Sequence, residues 1–365
     1  MKLLEFKKNF KSLPIAFTGL ALGIGGLGNC YKQLFSLNNE PQIGNWVSCA
    51  FFPFLIMFVL IIFFKYAFHF HELKKDLHNP LTISLMPTFS MSLMLLAGFI
   101  GMWDTNITSP CQISAATLMI LAIAIQFVLL FYFGKSIFYN HIKKNEVVYG
   151  SYFVPTVGLI TSCTVSGNIT AIPNIFFQVI WYLGYFIFIV SLPIITYLVL
   201  FKIDKLNKEH YPTIAVWFAP ANLSCAGFYQ VFILAANKQV DIYPQTFLDV
   251  ISILTTMIGF VTTILLYFFI IRIFVHRFNH NLKGFSPILC SLSFPCAIGV
   301  TSMIFTARAT RKINKDFNLT FLNDMENMFG VISVIFCAIT SIIILYLLIN
   351  MLVFAWKSLF KIKNN

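Results

Sequence analysis

Ten apolar segments recur along the chain, separated by short polar loops. Most are about 20 residues long or longer, and a helix of that length, rising about 1.5 Å per residue, crosses the roughly 30 Å hydrocarbon core of a bilayer. The pattern therefore predicts an all-α membrane protein with ten membrane-spanning helices. The expected spans are approximately 13–31, 45–67, 81–103, 112–134, 152–168, 172–201, 212–236, 246–273, 286–308 and 327–356.

Little of the chain falls outside these spans. We expect one membrane domain, residues 13–356, between an N-terminal tail of residues 1–12 and a C-terminal tail of residues 357–365. The fifth span is short and rich in hydroxyl side chains, so it is poorly suited to facing lipid. We therefore expect the other helices to bury it.

The loops differ in basic charge from one side of the membrane to the other. The two tails and every second loop hold 19 Lys and Arg residues, whereas the remaining loops hold six, four of which cluster between Arg308 and Lys315. Lys and Arg are enriched in cytoplasmic loops. This count predicts that both termini are cytoplasmic, that the odd-numbered spans run outward, and that the protein lies in the inner cell membrane.

Every odd-numbered span begins with a proline that follows a basic stretch. These prolines are Pro14, Pro80, Pro155, Pro212 and Pro287. Proline suits the first turn of a helix, where its missing N–H has no partner in any case. Three of the spans carry a second proline seven or eight residues later, at Pro87, Pro220 and Pro295. A proline at that depth removes a backbone hydrogen bond and predicts a kinked helix.

The odd-numbered spans also hold many of the small and hydroxyl residues, whereas the even-numbered spans, except the eighth, consist mostly of Leu, Ile, Val and Phe. Broken helices are tolerated within a membrane only when protein buries them or when they line a wet cavity. We therefore expect five central helices around a pore and five oilier helices outside them. The pore-lining candidates are Thr18, Gly25, Thr88, Ser162, Asn222 and Ser291. Close packing of helices is the alternative explanation for the small residues.

Composition excludes several functional classes. The chain is 58% hydrophobic and only 10% charged, with a mean hydropathy of +0.82, so it cannot cover itself with polar surface in water. The net charge of +12 comes from short loops between apolar segments and predicts membrane topology, not binding of nucleic acid. The sequence has no CxxC and no Cys/His metal spacing, and we expect no metal, no cofactor and no enzymatic activity.

The middles of the spans contain no Asp, Glu, Lys, Arg or His; the nearest are Asp104, Asp249 and Arg308, close to span ends. Coupled transporters usually keep an ionisable group at membrane depth, so its absence favours passive permeation. A neutral channel lined by hydroxyl groups and backbone N–H donors still prefers anions, because these donors partly replace the hydration shell of the anion.

Two sequence stretches resemble a known family. SLPIAFTGLALGIGGLG from Ser12 and FSPILCSLSFPCAIGVTSM from Phe285 are similar to the first and ninth helices of the tellurite-resistance/dicarboxylate transporter family, which includes the plant slow-type anion channels. The resemblance implies five helical hairpins around a pseudo-fivefold axis, one pore per subunit and a homotrimer. It also implies that Phe294 occludes the pore. Counted from the first proline, the other odd spans carry Ala21, Pro87, Ser162 and Ala219 at the position of Phe294.

These observations leave two functional hypotheses. The first is an anion channel or facilitator that passes small inorganic or organic anions through a central pore gated by Phe294. The second is a transporter or exporter for dicarboxylate, sulfite or tellurite-related oxyanions on the same scaffold, because the resembling family includes carriers of such anions.

Overall fold

The computed structural model describes residues 9–137, 149–202, 206–234, 245–280, 282, 284–317 and 320–360. Every regular element in these ranges is helical. The ends of the two predicted tails, residues 1–8 and 361–365, lie outside the described residues. So do several lysines that contribute to the predicted topology, namely Lys143, Lys144, Lys205, Lys238 and Lys283.

Thirteen α-helices occur in the described ranges, and we number them in chain order. They are α1 (Ala16–Leu37), α2 (Pro41–Phe68), α3 (Phe70–His78), α4 (Pro80–Leu85), α5 (Pro87–Gly101), α6 (Pro110–Ile137), α7 (Phe153–Val157), α8 (Ile160–Thr164), α9 (Asn174–Lys202), α10 (Ala219–Phe228), α11 (Gln245–Asn279), α12 (Ser293–Phe317) and α13 (Thr320–Phe360). Seven helical stretches of the described chain are long and apolar enough to cross a membrane.

Five long helices have no break along their length and are rich in branched aliphatic residues and Phe. We call them the outer helices: α2, α6, α9, α11 and α13, of 28, 28, 29, 35 and 41 residues. Only 28–33% of the residues in their most apolar stretches are buried within the protein. Large apolar side chains cover the remaining faces, which is the surface that lipid solvates.

Five further segments alternate with the outer helices along the chain. Each has one of the first prolines at or near its start, and all but the first are interrupted or change helix type within their length. We call them inner segments 1 to 5: α1, residues 80–101, residues 150–168, residues 208–234 and residues 287–317. Inner segment 3 consists of two short α-helices between two 3₁₀ turns, and inner segment 4 passes from a 3₁₀ helix through α10 to a π-helix. Inner segment 5 starts as a 3₁₀ helix, Pro287–Leu292.

The second prolines lie at these changes of backbone. Pro87 starts α5 immediately after α4 ends, Pro220 lies in the first turn of α10, and Pro295 lies in the first turn of α12. Proline cannot donate the i→i−4 hydrogen bond and its ring collides with the preceding turn, so a regular α-helix does not continue through it. These breaks and the high content of glycine and hydroxyl residues explain why inner segments 1, 3 and 4 are absent from the seven long apolar stretches.

The inner segments are buried by one another and by the outer helices. Burial reaches 72% in the most apolar stretch of inner segment 2 and 89% in that of inner segment 5. In inner segment 3, residues 150–164 are buried throughout. The fifth predicted span is therefore covered by protein, as its hydroxyl content requires.

Contacts between the inner segments follow a closed order. Helix α1 packs against α5, α5 against α8, α8 against α10, α10 against α12, and α12 against α1. Each inner segment also packs against the outer helix that follows it in the chain, giving the pairs α1–α2, α5–α6, α8–α9, α10–α11 and α12–α13. The core of the protein is therefore formed where the five inner segments meet.

Candidate functional site: a cavity between the inner segments

A cavity lies where the five inner segments meet, near their first prolines, at what we call the proline end of the bundle. Every lining residue comes from an inner segment; the lining consists of Ala16, Gly19, Leu85, Thr88, Met91, Val154, Val157, Thr213, Val216, Ala219, Pro220, Ile288, Cys290, Ser291, Phe294 and Pro295. The cavity volume is about 30 Å³, which is room for about two water molecules.

Phe294 is the one aromatic side chain in this lining. It follows the 3₁₀ helix Pro287–Leu292, and it is the second residue of α12. The change of helix type places the ring among small residues of the other inner segments, such as Gly19 and Ala219, and only 8% of its surface is exposed. The ring therefore fills space that small side chains leave open.

Hydroxyl groups join the first three inner segments at the proline end. The Thr18 and Thr88 hydroxyls are 2.6 Å apart, and so are the Ser84 and Ser151 hydroxyls. Thr88 and Ser84 each also donate to a carbonyl three residues earlier in their own helix. Each of these hydroxyl groups therefore has a hydrogen-bond partner within the protein.

Two hydroxyl groups of inner segment 5 connect it to inner segments 4 and 1. Ser291 donates to the Pro212 carbonyl at 3.2 Å, and Ser293 donates to the Gly19 carbonyl at 2.9 Å. Inner segments 3 and 4 approach without a side chain between them, because a Cβ on Gly150 would lie against the backbone of Thr213. The two hydroxyl groups of inner segment 5 thus donate to backbone carbonyls of neighbouring inner segments.

All the residues that line the cavity lie within the part of the chain that matches one family model. The model of the voltage-dependent anion channel family matches residues 12–352, which include all five inner segments and most of the last outer helix. The chain belongs to the voltage-dependent anion channel family. No curated protein is significantly similar to the chain. Membership identifies a membrane protein of an anion channel and transporter family, consistent with the apolar helices and the missing ionisable groups.

Within this family member, the structure brings three of the sequence-based site candidates to the cavity: Thr88, Ser291 and Phe294. Pro220 and Pro295 also line it. The remaining prolines start or interrupt helices outside the lining. They are Pro14, Pro80, Pro87, Pro155, Pro212 and Pro287. At Pro80 the preceding Asn79 caps α4 by accepting hydrogen bonds from two backbone N–H groups.

Thr18, Gly25 and Ser162 do not line this cavity. Gly25 packs against an outer helix and inner segment 2, since a Cβ there would lie 2.9 Å from Leu95 and 3.3 Å from Leu55. Ser162 donates to the Leu159 carbonyl at 2.7 Å, so its hydroxyl proton is used within its own segment. Glycine and serine are used at these positions to let helices approach closely.

Asn222 faces α11 and is not in the cavity lining. Its amide oxygen accepts from Thr262 at 3.3 Å and from Thr263 at 3.1 Å, and its amide nitrogen donates to the Phe218 carbonyl at 3.0 Å. The amide is therefore satisfied by a side-chain network between α10 and α11. This network accounts for two of the hydroxyl residues of α11, Thr262 and Thr263.

The cavity wall is apolar, whereas the sequence predicts a wall of hydroxyl groups. Sequence reasoning missed the aliphatic members, such as Leu85, Met91, Val154, Val157 and Ile288. The spacing of the sequence does indicate some of them. Leu85, Thr88 and Met91 come after Pro80 and are three residues apart from one another, so they share one face of a helix. Hydroxyl groups turn away from this wall because backbone carbonyls of the broken helices attract them.

The cavity lining carries no ionisable group besides the Cys290 thiol. In the described residues, no group of three or more His, Cys, Asp or Glu side chains is placed to hold a metal ion. The site can therefore exclude water and ions by its size and its apolar wall. Its lining provides neither an acid–base pair for catalysis nor a set of metal ligands.

Proposed function

We propose that this protein is an anion channel that passes small monovalent anions through a central pore formed by the five inner segments, with Phe294 as the gate. The observation that carries the proposal is the apolar cavity that Phe294 fills where all five inner segments meet. Membership in the voltage-dependent anion channel family supports it.

Phe294 is suited to close such a pore. A narrow apolar constriction excludes water and ions without any fixed charge, because an ion entering it loses hydration that the wall does not replace. The space of about 30 Å³ beside the ring is far too small for a hydrated anion. Movement of one side chain, or a small change of the 3₁₀ turn before it, is enough to widen the path.

Ten membrane crossings account for the described contacts better than seven. The closed contact order of the inner segments and their pairing with the outer helices support five hairpins around a pseudo-fivefold axis. A hydrogen bond between Asn9 and Leu359 holds the two ends of the described chain together. Two ends on one side require an even number of crossings.

The proline end is assigned to the cytoplasm. Lys11, Lys65, Lys74 and Lys75 lie beside the first prolines of inner segments 1 and 2, and basic loops favour the cytoplasmic side. With this orientation both termini are cytoplasmic, residues 13–356 form the channel domain, and the protein lies in the cell membrane. We retain the homotrimer, with one pore in each subunit, as an expectation from the family resemblance.

Flux through purified protein in liposomes tests the proposal. We expect chloride or nitrate to follow its electrochemical gradient when the membrane potential is clamped with potassium and valinomycin, and imposed proton gradients to leave the flux unchanged. Obligatory dependence on a proton gradient would contradict a channel and favour the oxyanion transporter. Protein-free liposomes and liposomes with heat-inactivated protein are the controls.

A further inference from the structure

Two basic side chains lie near each other at the end of the bundle remote from the prolines, because Arg308 bonds to Gln33, the residue that follows Lys32 in the chain. Lys32 lies near the end of inner segment 1 and Arg308 lies in the last part of inner segment 5, and both are half-buried. Among the described residues, no carboxylate lies within salt-bridge distance of either. We call Lys32 and Arg308 the distal cation pair.

A third basic residue in the same region, Arg311, does have a carboxylate partner. It lies one helical turn beyond Arg308, and it forms a salt bridge to Glu326 of α13. It also donates to the Leu37 carbonyl at 2.7 Å. Arg311 thus has a carboxylate partner at this end of the protein, whereas Lys32 and Arg308 have none among the described residues.

Neutral groups hold the distal cation pair in place. Lys32 donates to the Asn168 side-chain oxygen at 2.5 Å, and the Asn168 amide nitrogen donates to the Gly98 carbonyl at 3.1 Å. Arg308 donates to the Gln33 side-chain oxygen at 2.7 Å and to its backbone carbonyl at 2.8 Å. These partners fix the direction of both cations, and among the described residues none of them brings a negative charge.

The pair lies where inner segments meet. Lys32 and Asn168 belong to inner segments 1 and 3, which inner segment 2 separates in the contact order. The Arg308 guanidinium lies 5.8 Å from the centre of the Phe305 ring, which stacks on Tyr229 of inner segment 4 at 4.9 Å. Residues of all five inner segments therefore lie around this position, and in the proposed channel it is the distal end of the pore that Phe294 closes.

Both cations keep donor capacity for a ligand. An ammonium group has three N–H donors and a guanidinium group has five, and the named contacts use one and two of them. Retaining two half-buried charges without a carboxylate is costly in free energy. An anion bound between them would offset that cost and accept the remaining hydrogen bonds.

We propose that Lys32 and Arg308, with the amide groups of Asn168 and Gln33, form a binding site for a small inorganic anion at the distal mouth of the pore. The site concentrates anions at the extracellular end of the path and repels cations. This inference rests on the proposed channel function, and it adds the residues that recruit the permeant ion.

The experiment measures chloride currents in planar bilayers with Phe294→Ala as the open background. Adding Lys32→Gln or Arg308→Gln lowers the current carried by chloride entering from the distal side by about two- to threefold per charge at about 0.01 M salt, as a unit charge close to the ion predicts. Chloride entering from the proline side is affected less, so the current rectifies. At about 1 M salt the difference disappears because the charges are screened.

Two further variants separate charge from structure. Lys32→Arg keeps the charge and is expected to keep the current. The double variant Arg311→Gln/Glu326→Gln removes a neutralised pair whose cation lies on the same helix as Arg308, and it is expected to leave low-salt rectification unchanged. If Lys32→Arg loses as much current as Lys32→Gln, the side chain acts through its shape and the proposal is overturned.

A second measurement does not depend on conduction. Chloride in place of gluconate raises the thermal unfolding temperature of the wild-type protein, and Lys32→Gln with Arg308→Gln abolishes this increase, because only a folded site binds the ion. Equal chloride effects in both proteins, or equal low-salt currents in the open background, overturn the distal site. If Phe294→Ala conducts no anions while the chloride-dependent stabilisation holds, the channel function fails and the site stands.

Discussion

Asn9 donates a hydrogen bond from its side chain to the backbone carbonyl of Leu359, 350 positions later in the chain, at 2.6 Å. The contact joins the first described residues to the end of α13. It is a relationship that the seven long apolar stretches alone do not explain, because an odd number of crossings would separate the two ends by the thickness of the membrane. We propose that inner segments 1, 3 and 4, which are not among these seven stretches, supply the missing crossings.

Reporter fusions at the two ends test this count. We expect a reporter that is active only in the cytoplasm to be active when fused before Met1 and when fused after Asn365. A fusion in the loop at Asp104, between inner segment 2 and α6, provides the control and should report the opposite side. Activity at one terminus only would remove one crossing and with it the fivefold arrangement.

Replacement of Phe294 by alanine should raise the unitary anion conductance, whereas replacement by leucine should raise it less. The alanine removes the ring from the apolar constriction, so the path widens and becomes hydrated, while leucine leaves an apolar side chain in place. Single-channel recording in planar bilayers measures the effect. Unchanged conductance in well-folded Phe294→Ala protein would place the constriction elsewhere.

The matched control for this substitution is Phe17→Ala. Phe17 is fully buried in inner segment 1 and packs against Phe58 with 5.5 Å between the ring centres, outside the cavity lining. Truncation there leaves a void and should lower the free energy of unfolding by about 3–5 kcal/mol without raising the conductance. The two phenylalanines thus separate a gate from ordinary packing.

Cys290 provides a native probe of the cavity. Its thiol lines the space beside Phe294 and is only 1% exposed. In Phe294→Ala we expect a small methanethiosulfonate reagent, applied from the proline side, to reduce the anion current irreversibly, because the reagent enters the hydrated pore. Wild-type protein should react far more slowly. Cys290→Ser in the same background should abolish the block.

Introduced cysteines extend this test to the walls. In a background without native cysteines, Thr88→Cys should react once the gate is open, since Thr88 lines the cavity. Leu121→Cys should stay protected from a charged reagent, because Leu121 lies on the lipid-facing surface of α6, where it is 54% exposed. Equal labelling of the two positions would contradict the assignment of inner and outer helices.

Gly23→Ala should destabilise the protein. A Cβ at Gly23 would collide with the Ser293 side chain and lie 2.9 Å from its backbone carbon, so rotation of the side chain does not relieve the contact. It would also disturb the hydrogen bond from Ser293 to the Gly19 carbonyl. We expect a loss of roughly 1–3 kcal/mol in the free energy of unfolding in detergent, as for other overpacked cores.

Gly134→Ala is the matched control for the glycine at the helix interface. Gly134 lies in the last turns of α6, and a Cβ there would meet no atom within 4 Å. Alanine has the higher helix propensity, so this variant should be unchanged or more stable by up to about 1 kcal/mol. Destabilisation of both variants to the same degree would show that glycine acts through the backbone and not through helix contact.

The spans of the outer helices were predictable because lipid imposes a simple requirement on them. A segment such as α9, predicted at 172–201 and observed as Asn174–Lys202, needs only a long apolar run. Burial of inner segment 3 also followed from its sequence, since a short segment rich in hydroxyl residues is poorly suited to facing lipid. Both inferences use one-dimensional properties of the chain.

The sequence alone determined that this protein crosses the membrane many times, that proline-started helices alternate with oilier ones, and that Phe294 occupies a position where the other segments have smaller side chains. Only the tertiary structure decided which hydroxyl groups face the path. Ser293 bonds a carbonyl of inner segment 1 and Asn222 bonds threonines of α11, because broken helices expose backbone and side-chain acceptors to their neighbours. The direction of a side chain around a helix whose type changes along its length depends on those partners, which are remote in the chain, and periodicity along the sequence does not encode them.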